Sequence, residues 1–475
     1  MAKVVFLQNL WFKFMGPMYI SATLKRAGHT CELLIGNDAE DFLPFLQEDR
    51  PTIIAFSIMT GMHAWALDIA AYLKEKLDCL IILGGPHATF FPEIIENEGI
   101  DIICRGEGED AIVELANALT NFHDFSNIQN LWIKTGDKRI IRNDVRLLVQ
   151  DLDTLPFPDQ NLYSLYPGLQ NDPVYSIITT RGCPFNCSFC FNHQMAALYR
   201  GTGHYIRRRS VSSVLEEIAK TSAEKIIDRI YFIDDTFSLN KKWLKDFLPA
   251  YGQRFHIPFH CLVRIDQIDD NIAHALKESG CETVFFGIES GDEKIRNNLL
   301  NKAISNEDIK NGALILKNHN IKFRTYNILG LPGETLNQAL KTVSINIAIG
   351  TNFPWCSIFM PYPGTSLTDY AIRKGYLSKE LTVDNMAASF HVTSILKNPH
   401  QNSLINLHKF FQTVVIMPSS LPIVKRLLKI PPNFVFQLWF AFVYFFLYAS
   451  SEGRNWKWMI TSALKNWRFL RHDRK

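Results

Sequence analysis

Nothing at the start of this 475-residue chain resembles a secretory leader: Met1 leads directly into Lys3-Val4-Val5-Phe6-Leu7, which reads as a strand. The nine cysteines are an odd number, so a disulfide framework is not expected and a reducing, cytoplasmic compartment is. A formal net charge of +3 is too small to argue for a nucleic-acid partner. No G-x-G-x-x-G follows the first strand and no G-x-x-x-x-G-K-[ST] loop occurs, which disfavours a dinucleotide or a triphosphate ligand. Internal repeats and low-complexity tracts are also missing. What is present is 47% hydrophobic and 20% charged, the composition of an ordered chain of two or three domains.

Over residues 1–135 strand and helix signals alternate. Val4–Leu7, Thr30–Ile35, Thr52–Ser57, Leu80–Leu83 and Ile100–Cys104 read as strands, and Met18–Ala27 (stopped by Gly28) and Ala64–Lys76 as helices. Such alternation predicts a doubly wound parallel sheet, whose ligands bind beyond the carboxyl ends of the strands. Those ends carry Gln8, Asn9, Ser57, Met59, Thr60, Gly84, Gly85, Glu107 and Gly108. The Gly84-Gly85 pair would let backbone approach a large flat ligand closely, and a tight turn without ligand explains it equally well.

Residues 136–173, with Pro156 and Pro158, read as an extended linker. The apolar run Val174–Thr180 then reads as a buried strand, and Gly182 and Pro184 force an irregular loop carrying Cys183, Cys187 and Cys190. Three thiolates on one loop would hold an iron–sulfur cubane and leave one iron free. A zinc site completed by His193 fits the same spacing. Strand–helix units continue beyond, with Ser210 placed to cap a helix over Val211–Ala223. Strands in this stretch end at Asp234-Asp235, Arg264, Glu289-Ser290 and Pro361-Tyr362, and Arg324 lies on another. In a barrel, residues at the carboxyl ends of strands form the active face.

CxxxCxxC with an aromatic residue, Phe189, before its last cysteine, on the loop after a first strand, resembles the signature of radical SAM enzymes. The order of the preceding sheet, Ser57 after one strand and Gly84-Gly85 after the next, resembles the cobalamin-binding domain of the cobalamin-dependent members. The resemblance implies an α/β chain: a flavodoxin- or Rossmann-like cobalamin-binding domain over 1–135, a linker over 136–173, a partial (β/α) TIM-type barrel over 174–380 and a mostly helical region over 381–475. It implies a 4Fe–4S cluster on Cys183, Cys187 and Cys190, with His193 a mere loop residue. S-adenosylmethionine would be held by Phe189, Ser290, Asp234 or Asp235 (amino group), Arg324 (carboxylate, with a structural ion pair as the competing reading), Glu289 (ribose), and Pro361 and Tyr362 (adenine). Cobalamin would lie on Asn9, Ser57, Met59, Thr60, Gly84, Gly85, Glu107 and Gly108. The loop after the first strand lacks the Asp-x-His-x-x-Gly of many such domains, so no histidine from it would ligate cobalt.

The implied activity is reductive cleavage of S-adenosylmethionine to a 5′-deoxyadenosyl radical, fed by a donor such as flavodoxin or ferredoxin. Methyl transfer to an unactivated carbon leads; cyclisation, rearrangement or oxidative cyclase chemistry without methyl transfer is the alternative, and a zinc-stabilised membrane-associated binding protein is the non-enzymatic one. In the C-terminal region, Leu404–Met417 reads as a helix. The apolar run Phe434–Ala449 falls short of the roughly 20 residues of a spanning helix. Flanking Lys425, Arg426 and Lys429, and a tail mixing tryptophan with cations through Trp467-Arg468-Phe469-Leu470-Arg471, suit a helix lying in a bilayer interface. That would place the enzyme on the inner face of the membrane with a lipophilic substrate; a helix closing the barrel or a dimer contact are the competing readings.

Overall fold

The computed structural model describes residues 1–379, 381–383, 391, 393–454 and 456–466; the Trp467–Arg471 tail lies outside the described residues. The chain divides into two compact units, one made of Met1–Asp172, Ala197–Tyr205 and residues from Ile460 on, the other of Pro173–Ala196 and Ile206–Met459.

The first unit is a seven-stranded sheet in the order β2-β1-β3-β4-β5-β6-β7. Its strands are β1 (Lys3–Gln8), β2 (Thr30–Ile35), β3 (Ile53–Ser57), β4 (Leu80–Gly84), β5 (Ile102–Cys104), β6 (Leu131–Lys134) and β7 (Ile140–Arg142). The first five run parallel and the last two antiparallel. The order reverses between β1 and β3, the switch point where a doubly wound sheet opens a crevice. Helices α1 (Met15–Arg26), α2 (Ala39–Asp49), α3 (His63–Lys76), α4 (Gly85–Phe90) and α5 (Glu109–Thr120) connect the strands, with a separate apolar core on each side of the sheet. Helix α1 begins ahead of Met18 and ends before Gly28, whose φ of +85° no side chain favours. Helix α2 starts in a capping box between Asp38 and Asp41.

The stretch expected to be a linker belongs to this unit. β7 extends the sheet, and Leu162, Tyr163 and Leu169, the last in the short α6 (Pro167–Gln170), are buried in its core. The Tyr163 hydroxyl accepts the Phe14 N–H (2.9 Å) and donates to Gln8 Oε1 (3.0 Å), so the loop after β1 is built on residues far along the chain.

The second unit holds a six-stranded parallel sheet in the order β15-β14-β13-β12-β11-β8. The strands are β8 (Val174–Ile177), β11 (Arg229–Phe232), β12 (Phe259–Leu262), β13 (Cys281–Glu289), β14 (Lys322–Leu329) and β15 (Phe353–Ile358). The run expected as one strand from Val174 to Thr180 divides after Ile177. Its end forms β9 (Thr180–Arg181), paired antiparallel with β10 (Arg207–Arg208). Between them lies α7 (Asn192–Leu198), and the crossovers use α8 (Val211–Glu224), α9 (Lys241–Arg254), α10 (Asp270–Glu278), α11 (Asn306–Asn318) and α12 (Leu336–Ala348). Ser210 Oγ caps α8 by accepting the Ser213 N–H at 3.1 Å. Aromatic rings of Phe232, Phe237, Phe247, Tyr251 and Phe259 fill the space under α8 and α9.

After α13 (Ser366–Arg373) the chain is helical: α14 (Gln401–Ile416), α15 (Leu421–Leu427), α16 (Phe434–Glu452) and α17 (Trp456–Asn466). Helix α14 is almost wholly buried against β15 and α12. Helix α16 lays Phe436 and Phe440 on this core, and Tyr444 and Tyr448 meet the ring of Trp355 at 4.9 and 5.8 Å. Its 19 residues are long and apolar enough to cross a membrane, by length and composition alone, which corrects the shorter reading of the sequence.

Candidate active site

The exit of β8 is fixed by Asp234. Its Oδ1 accepts the backbone N–H groups of Thr179 (2.8 Å) and Thr180, and its Oδ2 the Thr179 hydroxyl (2.9 Å). Burial raises this carboxyl to about 6 against the hydrogen bonds that hold it down. Asp234 is thus committed to the backbone, which corrects the reading of the two aspartates as interchangeable. Asp235 is exposed, takes a hydrogen bond from the Asn192 side chain, and its charge reaches Cys183 and Cys190.

From that anchor Gly182 (φ +91°) turns the chain into the cysteine loop. The loop is tied from several sides. Ser188 N–H and Oγ donate to the carbonyls of Leu300 (3.0 Å) and Leu299 (2.6 Å), Asn301 donates to Asn186 O (2.8 Å), and Leu367 N–H reaches Ser188 O (2.9 Å). Arg264, bonded to Asp266 and Lys302 O, stacks its guanidinium on Phe185 at 3.8 Å. All three cysteines are free and partly buried. Burial raises each thiol, Cys190 to about 11. Against this, Lys302 and Arg264 favour the Cys187 thiolate, the Thr236 hydroxyl bonds Cys183, and both nitrogens of Asn192 lie 3.5 and 3.6 Å from Cys190 Sγ.

Among the described residues no three His, Cys, Asp or Glu side chains converge closely enough to hold one metal ion. His193 Nε2 lies 3.2 Å from Ser366 Oγ. A cubane takes one thiolate at each of three corners, so it needs thiols that share a loop without meeting at a point. The donor set fits that group.

Glu289 ends β13 at a bulge and has φ +62°, a conformation uncommon for a side-chain-bearing residue. Its carboxylate, 7% exposed, pairs with Lys302 Nζ at 2.7 Å. Gly287 leaves room for them, because a Cβ there would overlap the Glu289 carboxylate and push it aside. Ser290 is fully buried; its Oγ accepts the Asp292 N–H and its carbonyl the Arg296 guanidinium, so it shapes the turn. Pro361 is buried, Tyr362 half-buried and 5.7 Å from the Phe191 ring, and Phe189 packs on the core beside Phe359.

Arg324 stands elsewhere. It is the third residue of β14, paired with Phe285 rather than with the Glu289 end of β13, and its guanidinium joins Glu452 of α16 at 2.8 Å. Phe285, Trp355 and Tyr448 surround it. Burial would lower its pKa, but Glu452 and Tyr326 raise it above the ordinary value. A buried structural pair replaces the expected carboxylate clamp.

In the first unit, the carboxyl ends of β1, β3 and β4 bring Asn9, Ser57 and Gly84-Gly85 to the switch point. Asn9 is 4% exposed and its Oδ1 has no hydrogen-bond partner among the described residues, a buried acceptor that a ligand amide would satisfy. Ser57 Oγ lies 3.2 Å from where a Gly85 Cβ would stand, Met59 is exposed, and Thr60 Oγ1 is 3.1 Å from His87 Nδ1. Gly85 (φ +88°) is needed by the fold itself, since its Cβ would come within 2.8 Å of Ile58 O. The Glu107 N–H donates to the Tyr199 hydroxyl (2.7 Å), and Gly108 precedes α5 against Cys104. These residues suit a flat amide-rimmed ligand such as a corrin. Asn192, Tyr199, Arg296 and Lys302 were not singled out in the sequence; only Asn192, two residues after Cys190, carried a signal there.

The model of the radical SAM superfamily matches residues 177–344 and that of the B12 binding domain residues 14–116. An uncharacterized methyltransferase of Pyrococcus horikoshii is 30% identical over 396 residues, covering 80% of this chain and 84% of that protein. An anaerobic magnesium-protoporphyrin IX monomethyl ester cyclase of Synechocystis is 28% identical over 327 residues, covering 65% of this chain and 62% of that protein. The radical S-adenosylmethionine methyltransferase TsrM of Kitasatospora setae, solved with cobalamin and a [4Fe–4S] cluster bound, superposes with a TM-score of 0.66 at 17% identity, covering 83% of this chain and 79% of that one. The chain belongs to the cobalamin-dependent radical SAM enzymes. Its cofactors are a 4Fe–4S cluster, S-adenosylmethionine and cobalamin.

Proposed function

We propose that this enzyme transfers a methyl group to an unactivated carbon of a lipophilic small molecule. The observation that carries the reading is the coexistence of three free thiols on the Cys183–Cys190 loop with a switch-point sheet whose Asn9 acceptor is unsatisfied. When bound, the three cofactors supply a 5′-deoxyadenosyl radical and a transferable methyl group.

The chain's own residues divide the remaining work. Cys183, Cys187 and Cys190 hold the cluster, with Asn192, Thr236, Lys302 and Arg264 easing the negative charge on their sulfurs. Asp235 accepts a hydrogen bond from the methionyl ammonium. Glu289, aimed by Lys302, receives the ribose hydroxyls, a task its two acceptor oxygens suit. Pro361, Tyr362 and Phe189 border the adenine. Asn9, Ser57, Met59, Thr60, Gly84, Gly85, Glu107 and Gly108 edge the corrin, without a histidine from the loop after β1. A flavodoxin- or ferredoxin-type donor supplies electrons, and the lipophilic substrate is met at the inner face of a membrane.

The cyclase among the relatives favours a second reading, radical cyclisation without methyl transfer. The test is anaerobic incubation of the reconstituted, cobalamin-loaded enzyme with lipid extract and S-adenosylmethionine bearing a trideuterated methyl group. The expected result is S-adenosylhomocysteine, 5′-deoxyadenosine and a lipid heavier by one labelled methyl. 5′-Deoxyadenosine with an unlabelled product supports cyclisation, and absence of both nucleoside products sinks both readings.

A further inference from the structure

We infer that α15 and the outer face of α16 form a docking surface for an anionic lipid bilayer, on which α16 lies flat without crossing. This gives the membrane contact proposed above a defined surface, and it depends on none of the chemistry.

The first observation is the sidedness of α16. Phe434, Val435, Leu438, Trp439, Phe442 and Phe446 form a continuous outward stripe, from 42% exposed at Trp439 to 72% at Phe434. Residues four apart lie one above another on a helix, so 434, 438, 442 and 446 make a straight ridge. Ile423 on α15 and Ile430 in the turn before α16, also exposed, widen it. A contiguous aromatic patch of this kind is not ordinary soluble surface.

The second observation is charge. Residues 391–475 contain twelve Lys or Arg and only two Asp or Glu, in a chain whose totals are 50 and 47. The rest of the protein is therefore net acidic, and the cationic excess is confined to the region bearing the stripe. Exposed Lys425, Arg426 and Lys429 stand just before α16 and exposed Lys457 just after it. Apolar aromatic residues bracketed by cations, with a tryptophan on the stripe, match an anionic headgroup layer over hydrocarbon. A second copy of this face would set the same cations against each other.

The third observation excludes a spanning role for this helix. Its inner face is fastened to the second unit by Phe436, Phe440, the Trp355 contacts and the buried Glu452–Arg324 pair. Crossing a bilayer would strip that face and leave Arg324 buried without its partner.

The test is flotation of the full-length protein with vesicles of phosphatidylcholine alone and of phosphatidylcholine mixed with phosphatidylglycerol. Binding to the mixed vesicles, weakened by high salt, is expected. The Lys425→Glu/Arg426→Glu variant should lose at least about tenfold in partitioning, and the Leu438→Asp/Phe442→Asp variant should lose binding with an unchanged circular-dichroism melt. If the latter does not fold, brominated lipids provide the second readout: they should quench the native protein and quench Trp439→Phe less. Absence of vesicle binding overturns the proposal. So does a lipid-free dimer that Leu438→Asp/Phe442→Asp dissociates.

Discussion

The guanidinium of Arg324 and the carboxylate of Glu452 meet at 2.8 Å with both side chains nearly fully buried, locking the third residue of β14 to the last residue of α16. Removing one member of such a pair strands a charge, whereas replacing both with apolar groups is tolerated. Glu452→Ala should therefore destabilise the second unit by about 3–5 kcal/mol. Arg324→Met with Glu452→Leu should recover most of that loss. Thermal melts of the three proteins check this, and a single variant as stable as the parent would falsify the structural role given to the pair.

The cysteine loop makes a sharper prediction. Changing Cys183, Cys187 or Cys190 to alanine should remove the absorbance near 400 nm expected of the cluster and abolish 5′-deoxyadenosine formation after anaerobic reconstitution. His193→Ala should leave both intact, because that ring faces Ser366. Loss of iron from the histidine variant would make His193 part of the cluster's support and overturn its placement against Ser366.

Gly287 provides room for the Glu289–Lys302 pair. Gly287→Ala should displace the carboxylate and weaken S-adenosylmethionine binding in equilibrium dialysis by at least about tenfold, the order of one lost charged hydrogen bond. Iron content should stay unchanged. Unaltered binding would remove Glu289 from the nucleoside site.

Glu334 predicts a pH dependence. Full burial raises its carboxyl to about 8, although the N–H groups of Gly330 (2.7 Å) and Leu331 (3.3 Å) pull the other way. The folded chain thus holds this proton more tightly than the unfolded one. The associated stability is complete below the ordinary glutamate range and is lost as pH rises through about 8. Glu334→Gln should flatten the melting temperature between pH 6 and 9 relative to the parent, whereas parallel curves would show that another group governs the slope.

Local signals were legible because their physics is local. The cysteine spacing, the strand–helix alternation and the Ser210 cap depend on neighbours a few residues away, and the structure has them where the residues indicate. Asp234 and Asp235 were separable in principle: alternate strand residues share a face, and Asp234 shares its parity with core residue Phe232. Arg324 was not separable, since its partner lies on a helix far along the chain. Lys302 was hidden for a similar reason, as only the irregular turn after β13 swings it back onto Glu289. The stretch 136–173 looked extended because its prolines and sparse periodicity conceal Tyr163, which organises the loop after β1.

The first unit is assembled from three separated lengths of chain. Tyr199 supplies the hydroxyl that receives the Glu107 N–H, and Asn466 Oδ1 accepts the Trp11 N–H at 2.7 Å while Lys465 covers the Trp11 ring. During synthesis the ribosome releases the amino-terminal sheet first, yet that sheet lacks these contacts until residue 466 has emerged. A fragment ending at Asp172 would leave the ribosome with the Trp11 loop and the Glu107 turn both missing a partner.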